Sequence, residues 1–352
     1  MKNLFMVVKD FSLFGGINRV VANLSHLFAK EYKVTIVSIT MQTKTPSFDI
    51  PKEVSIINFS EVYPNFSTKN FLDKLKFSWH FNQLLPKNSQ NFVIVHQLLI
   101  PFFKAKNTTY IRHYHGNFED GFKKYLYKKP LLPRIKLFDF LVILHDRQIG
   151  LWGKLHSNIK VIPNFINTIP LPTTGIYQKV VISIGRFEQE KGFLRLIDIW
   201  KIVQENPNMQ DWKLHLVGEG SEKEQMIIKI NSLKLQDSIT LKPFTQQVSQ
   251  EYKQAAIYAM GSYREAFPMT LLEASSYGIP CIAFEVNGTC AILENERTGI
   301  LIPNDDLEAF AIKLQSLMTS LDLRKSLGNK AREQVIQYFT SNNIYHKWKE
   351  IL

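Results

Sequence analysis

Two glutamates with seven residues between them, Glu265 and Glu273, bracket the segment Ala266–Leu272 of a 352-residue chain. The apolar run Ile257–Met260 before them reads as a buried strand, and the polar turn with Arg264 and Glu265 follows it. Pro268 stands where a helix should begin. Proline suits the first helical turn because the N–H it lacks would be unpaired there anyway. The helix should stop near Gly278-Ile279-Pro280, with Cys281–Phe284 as the next buried strand. Strand, loop and helix start in that order make an anion cradle, in which the free N–H groups of Met269, Thr270 and Leu271 face outward. Two carboxylates beside an anion would repel it unless they hold something attached to it. Sugar hydroxyls meet that need, because carboxylates accept strong hydrogen bonds from them. The segment therefore points to a ligand built as sugar, phosphate and sugar, that is, a nucleotide sugar. The plain alternative is a pair of solvated acids at a helix start, where acids are common.

The wider run decides between these readings. Phe267-Pro268-Met269-Thr270-Leu271-Leu272-Glu273-Ala274, followed by Tyr277-Gly278-Ile279-Pro280-Cys281, resembles the signature of retaining GT-B glycosyltransferases of the glycosyltransferase-4 family. In particular it is similar to bacterial enzymes that extend lipopolysaccharide core. The resemblance implies two Rossmann-like doubly wound α/β domains facing a cleft, with a C-terminal helix crossing back to the first. Residues 1–168 would form the acceptor-side domain, 169–176 a linker, 177–335 the nucleotide-sugar domain and 336–352 the crossing helix.

Other motifs carry parts of the same chemistry. Gly185-Arg186-Phe187-Glu188-Gln189-Glu190-Lys191-Gly192 places two cations between a strand (Lys179–Gly185) and a helix. Arg186 can grip phosphate oxygens with two donors and Lys191 supplies a point charge; the motif matches the family's diphosphate clamp. Leu214–Val217 ends in Gly218-Glu219-Gly220, similar to the family's nucleotide-side loop, and Ile239–Phe244 is a strand whose Phe244 lies, by resemblance, near the base. Glu285-Val286-Asn287-Gly288-Thr289-Cys290 departs from the glycine-rich turn common in relatives, so the backbone contacts usual there are not expected.

In the first half, Leu4–Val8 reads as a strand, Asp10–Gly16 as a loop and Ile17–Lys30 as a helix. Glycine lets a backbone approach a ligand closely, and Gly15-Gly16-Ile17-Asn18-Arg19-Val20 resembles the family's first loop, which puts Gly16 at the donor. Short strands at Lys33–Ile39, Val54–Phe59, Phe92–Val95, Tyr110–His113 and Phe140–Leu144 alternate with helices, as a doubly wound parallel sheet requires. The strand ending at His113 leads into Tyr114-His115-Gly116. Two histidines at i and i+2 offer imidazoles to a metal, but no acidic or cysteine partner is placed to complete a set, so no metal is expected. A histidine at a strand end commonly caps and hydrogen-bonds; by resemblance, His115 matches the family histidine beside the donor sugar and the reacting centre.

Composition bounds the rest. Cys281 and Cys290 are the two cysteines, so a disulfide framework is not expected and a reducing compartment fits. No signal peptide or membrane-spanning apolar run is read from the sequence. Residues 1–175 hold 23 Lys and Arg against 10 Asp and Glu, while the remainder is nearly balanced, out of a net charge of +12. Such asymmetry suggests an acidic partner, or else a lysine-rich solvated surface. Phe122–Phe140 concentrates it: Lys123, Lys124, Lys128, Lys129, Arg134 and Lys136 lie among aromatic and leucine side chains suited to a membrane interface. No module for stacking nucleic-acid bases is found.

The expectation is thus a retaining enzyme moving a hexose or N-acetylhexosamine from a nucleotide sugar, UDP-linked, to a lipid-linked saccharide such as lipopolysaccharide core. It would need no metal or other cofactor, because Arg186, Lys191 and the helix start neutralise the leaving diphosphate. Glu265 would hold donor-sugar hydroxyls and Glu273 the ribose diol, with closure over the linker assembling the site. The enzyme would sit peripherally on the anionic cytoplasmic face of the inner membrane. A nucleotide-sugar epimerase or phosphorylase on the same fold, or a non-catalytic glycan- or nucleic-acid-binding protein, are the alternatives.

Overall fold

A computed structural model of the chain describes residues 2–64, 71–96, 100, 102–119 and 132–352. Two compact units emerge, Met1–Asn167 with Ser341–Leu352, and Thr168–Thr340.

In the first unit, seven parallel strands are found among the described residues: β1 (Lys2–Asp10), β2 (Tyr32–Thr40), β3 (Ser55–Asn58), β4 (Asn91–Val95), β5 (Thr108–His113), β6 (Phe140–Ile143) and β7 (Ile159–Val161). Their order is β3-β2-β1-β4-β5-β6-β7. Alternate side chains of β1 go to opposite faces, as the two-residue strand period demands. Leu4, Met6 and Val8 pack with Val20, Val21 and Leu24 of the helix Gly16–Phe28 and with Ile344 and Trp348 of the helix Ser341–Lys349. Phe5 and Val7 pack on the other face with Phe77 and Phe81 of the helix Phe71–Gln83. A sheet covered on both sides needs nearly continuous apolar strands, which is why β1 and β4 read as unbroken runs.

The second unit contains β8 (Val180–Ile184), β9 (Lys213–Val217), β10 (Ile239–Lys242), β11 (Ile257–Met260), β12 (Cys281–Phe284) and β13 (Ile300–Ile302), in the order β10-β9-β8-β11-β12-β13. The helices Phe193–Gln204 and Leu307–Thr319 close the core around Ile197, Trp200, Phe310 and Leu314. Asp306 caps the latter through Ala309 N–H at 2.9 Å, and Ser320 caps the helix Leu321–Tyr338 through Leu323 N–H at 3.2 Å.

Each sheet reverses its winding at its first strand. In one, β2 and β4 flank β1; in the other, β9 and β11 flank β8. The loops beyond the carboxyl ends at such a reversal form the crevice where doubly wound sheets bind ligands. In the second unit those loops hold Arg186, Lys191 and Glu265, and in the first they hold Asp10–Gly15 and His96.

Several expectations are corrected. Pro268 is the residue before the helix Met269–Ser276, with extended backbone (φ −72°, ψ 110°), not a helical one. Phe244 lies two residues past the end of β10. The helix expected to cross back begins at Ser341, residues 336–338 still belonging to the preceding helix. Within 169–176, Thr173 is fastened to the second unit by Thr173 N–H to Tyr277 O at 2.8 Å and by its hydroxyl to Lys253 O at 3.1 Å. Lys123, Lys124, Lys128 and Lys129 lie outside the described residues. Lys136 is exposed, but Arg134 is 6% exposed and stacks its guanidinium 3.6 Å from the Phe102 ring centre. Burial pushes it down to about 10. A group so enclosed does not face lipid headgroups. No described helix is long and apolar enough to cross a membrane.

Candidate functional site

The second unit builds its site by pressing three loops together, backbone to backbone. Gly218, at φ +155°, closes β9 so near the loop after β8 that a Cβ would stand 1.9 Å from the Gly185 carbonyl oxygen. Gly192, at φ +63°, precedes the helix Phe193–Gln204, and a Cβ there would stand 2.0 Å from Gly261 O, past the end of β11. Only glycine tolerates both conditions at once. Phe187 N–H to Glu219 O at 2.8 Å and Tyr263 N–H to Glu190 O at 2.9 Å complete the weave.

Lys191 and Glu265, far apart in sequence, are thereby brought together. Lys191 Nζ donates to Glu265 Oε1 at 2.8 Å, and Ser262 Oγ donates to the same oxygen at 2.8 Å. An ammonium has three donors, so one bond to Glu265 leaves donors for a phosphate. Arg186 is exposed and pairs with Glu190 four residues on, at 2.7 Å. Such an exposed pair contributes about 0.3–0.5 kcal/mol and exchanges readily for a better anion.

Behind these loops is a residue missed in the sequence. Arg195 is 3% exposed. Its guanidinium donates to Gly261 O, to Ser262 O at 2.5 Å, to Asn304 Oδ1 at 3.0 Å and to Asp305 Oδ1 at 2.8 Å, and lies between the Tyr263 and Phe284 rings, 3.8 Å from each centre. The five-donor fork is the one side chain able to serve this many acceptors in one plane. The signal available was an arginine on the apolar stripe of its helix, beside Leu196.

At the start of the helix Met269–Ser276 the N-cap residue Pro268 offers no side-chain cap to the backbone N–H groups. Thr270 Oγ1 accepts from Tyr258 at 2.8 Å, which leaves its own proton to donate. Burial drives the Tyr258 hydroxyl far above its usual range, so it stays a donor. Glu273 Oε2 accepts from Tyr252 at 3.1 Å. Phe267, Pro268 and Leu271, expected around the donor, are buried; the Phe267 ring meets Phe339 at 5.7 Å. What Phe267 and Leu271 can offer a ligand is backbone. Met269 is partly exposed, and Phe244 is 47% exposed. The departing segment Glu285–Cys290 serves Glu265 from below: Gly288 N–H donates to Glu265 O at 2.9 Å, and a Cβ at Gly288 would meet that peptide at 2.7 Å.

In the first unit, Gly16 opens its helix with nothing within 4 Å of a notional Cβ. Packing does not require glycine there. Asn18 Nδ2 ties the loop down through Asp10 O and Leu13 O, both at 2.7 Å. His115 lies beyond β5, and His96 beyond β4 comes within 2.7 Å of it, Nδ1 to Nε2. His113 lies beside both, with ring centres 5.2 Å from His96 and 4.1 Å from His115. Burial first, then neighbouring charge, holds all three imidazoles well below their ordinary value, His115 down to about 3. They are neutral at physiological pH. The sequence offered the histidine pair no acidic or cysteine partner; the structure sets a third imidazole, His96, beside it.

Two family models cover most of the chain: Glycosyltransferase Family 4 matches residues 14–169 and Glycosyl transferases group 1 matches residues 174–334. An uncharacterized glycosyltransferase of Haemophilus influenzae is 26% identical over 369 residues, spanning all of both chains. The lipopolysaccharide 1,6-galactosyltransferase of Escherichia coli is 34% identical over 173 residues, 46% of each chain. The structure of a TarM mutant of S. aureus, in complex with Fondaparinux, alpha-GlcNAc-glycerol and UDP, matches 100% of this chain and 99% of its own with TM-score 0.84 at 17% identity, a likeness of fold. Two reversing parallel sheets, loops ordered around an uncapped helix start and family matches to both halves agree, and the chain belongs to the family 4 and group 1 glycosyltransferases of the GT-B fold.

Proposed function

We propose that this glycosyltransferase takes a hexose or N-acetylhexosamine from a UDP-linked donor and transfers it with retention to a saccharide of lipopolysaccharide core or another lipid-linked surface glycan. The observation that carries the reading is the Lys191–Glu265 pair at 2.8 Å beside the uncapped start of Met269–Ser276. It sets a cation, a carboxylate and helix N–H groups where a diphosphate and its sugar would lie side by side. The UDP of the TarM complex and the activity named for the Escherichia coli relative support the donor and acceptor classes.

In this reading Arg186, Lys191 and the N–H groups of Met269–Leu271 stabilise the charge that develops on the departing diphosphate. No metal is assigned to that step. Glu265 fixes donor-sugar hydroxyls, Glu273 the ribose diol, Phe244 faces the base, and His115 with Gly16 approaches the sugar. The bond from the anomeric carbon to phosphate breaks on the face where the acceptor oxygen bonds, and the acceptor proton passes to the released phosphate oxygen. Positioning supplies most of the rate. The acceptor is membrane-anchored in this reading, and Lys123, Lys124, Lys128, Lys129 and Lys136 hold the enzyme to an anionic cytoplasmic leaflet at about 1 kcal/mol each.

The test is a panel of nucleotide sugars scored by released UDP or GDP, with and without deacylated core oligosaccharide, repeated with chelator. One UDP-sugar should give acceptor-dependent release that survives chelation. Release that no saccharide stimulates, or that needs added Mg²⁺ or Mn²⁺, would overturn the proposal. Sedimentation with anionic liposomes at low and high salt tests the membrane part; no sedimentation at low salt sinks it.

A further inference from the structure

We propose that His96, His113 and His115 form a three-imidazole site for Zn²⁺ in the first unit. One potential ligand atom from each of the three lies within 4.8 Å of the other two. Four-coordinate zinc takes imidazole nitrogens at about 2.0–2.1 Å, which places them roughly 3.3–3.4 Å apart. The closest pair stands at 2.7 Å, so modest turns of the rings bring all three to one centre. His115 is partly exposed while its partners are buried, which leaves the fourth position open to water.

A second observation points the same way. His96 and His113 are 3% and 2% exposed, and His96 Nε2 and both nitrogens of His113 have no hydrogen-bond partner among the described residues. Buried polar atoms without partners are uncommon and call for an ion, a water or a ligand. A metal bond supplies His113 with the partner it lacks. Imidazole favours zinc, copper, nickel and cobalt over magnesium and calcium.

Two features temper the affinity. No second-shell carboxylate orients the rings among the described residues, and such partners ordinarily contribute 10–100-fold. The Arg112 guanidinium, held by Val95 O at 2.8 Å and His113 O at 3.3 Å, lies nearby and repels a cation. The site is therefore one that fills and empties with zinc supply. Filling it would occupy the imidazole that the proposed mechanism places at the sugar, a consequence that rests on that mechanism, whereas the binding itself does not.

Isothermal titration of the full chain with ZnCl₂ should show one equivalent bound. His96→Gln and His113→Gln should each weaken it about 10–100-fold, with thermal unfolding confirming that the variants fold. Co²⁺ added to the unaltered chain should give the intense visible bands of four-coordinate cobalt, a readout independent of any variant. Six-coordinate cobalt spectra, absence of saturable binding, or one-equivalent binding unchanged in both variants overturns the site. In the transfer assay zinc should inhibit. Stoichiometric binding without inhibition leaves the metal site standing and removes His115 from the reaction.

Discussion

Replacing Lys191 by methionine removes one charge and keeps a flexible, unbranched side chain. The ammonium and Glu265 carboxylate are 2.8 Å apart, 24% and 10% exposed. At an effective dielectric of about 20 their attraction is about 6 kcal/mol. Desolvation opposes most of that gain, and contacting pairs typically retain a coupling of about 0.5–3 kcal/mol. After the substitution Glu265 keeps Ser262 as a donor at 2.8 Å, so its charge is only partly orphaned. The expected cost to the second unit is about 1–3 kcal/mol, with Glu265→Gln alone costing less and the double variant less than the sum of the two. Urea titration of the four proteins measures this, read on the transition of the second unit because two units need not unfold together. In parallel, Lys191→Met should lower turnover at saturating donor by about 10²–10³, the usual loss for one donor aimed at developing charge. Additivity within about 0.5 kcal/mol together with near-normal turnover would refute both the coupling and the role at the diphosphate.

Glu273→Gln should raise the donor KM and leave kcat nearly unchanged, since a ribose contact acts equally before and during reaction, while Glu265→Gln should lower kcat more; the opposite pattern reverses their roles. Gly288→Ala should cost about 1–3 kcal/mol by overpacking and lower turnover, because the added carbon meets the Glu265–Ala266 peptide at 2.7 Å; unchanged Tm and kcat would show that the turn gives way. Cys281 is fully buried, and burial pushes its thiol up to about 12, whereas Cys290 is partly exposed. Since the thiolate is the reactive form and only one thiol is reachable, a disulfide reagent should titrate one thiol in the folded chain. The second should appear only on unfolding, and two fast equivalents would contradict the packing of β12.

The strands were the most legible part of the sequence. β11 and β12 begin and end where their apolar runs do, because both are buried on both faces and the residues beside them, Gly261-Ser262 after β11 and Gly278-Ile279-Pro280 before β12, carry the glycine and proline that end regular structure. The loops carrying Arg186, Lys191, Glu265 and Glu273 were legible in position for a different reason: these residues lie in short motifs between consecutive elements, whose order fixes which strand end or helix start each one follows. What escaped was whatever depends on pairing between distant segments. His96 meets His113 because β4 and β5 align with Val95 opposite Arg112, a register no local pattern specifies. Arg195 breaks its helix's apolar stripe, yet the four acceptors that justify it come from two other loops. Arg134 looked like one more surface cation until Phe102 and its surroundings enclosed it.

The first unit is assembled from two separated pieces of chain. Ile344, Trp348, Ile351 and Leu352 belong to the same core as β1, yet they are synthesised after the entire second unit. The chain leaves this unit at Asn167 and rejoins it at Ser341, whose hydroxyl lies 3.5 Å from Asn167 O. Joining the ends of a flexible intervening segment of roughly 170 residues would cost about 4–5 kcal/mol of chain entropy. A segment already folded, with its ends adjacent, escapes most of that. During translation, then, the later-made unit is the one able to finish first. The earlier-made sheet waits with Trp348's place in its core unfilled until the last helix arrives, and the interval is a window for chaperones or proteases.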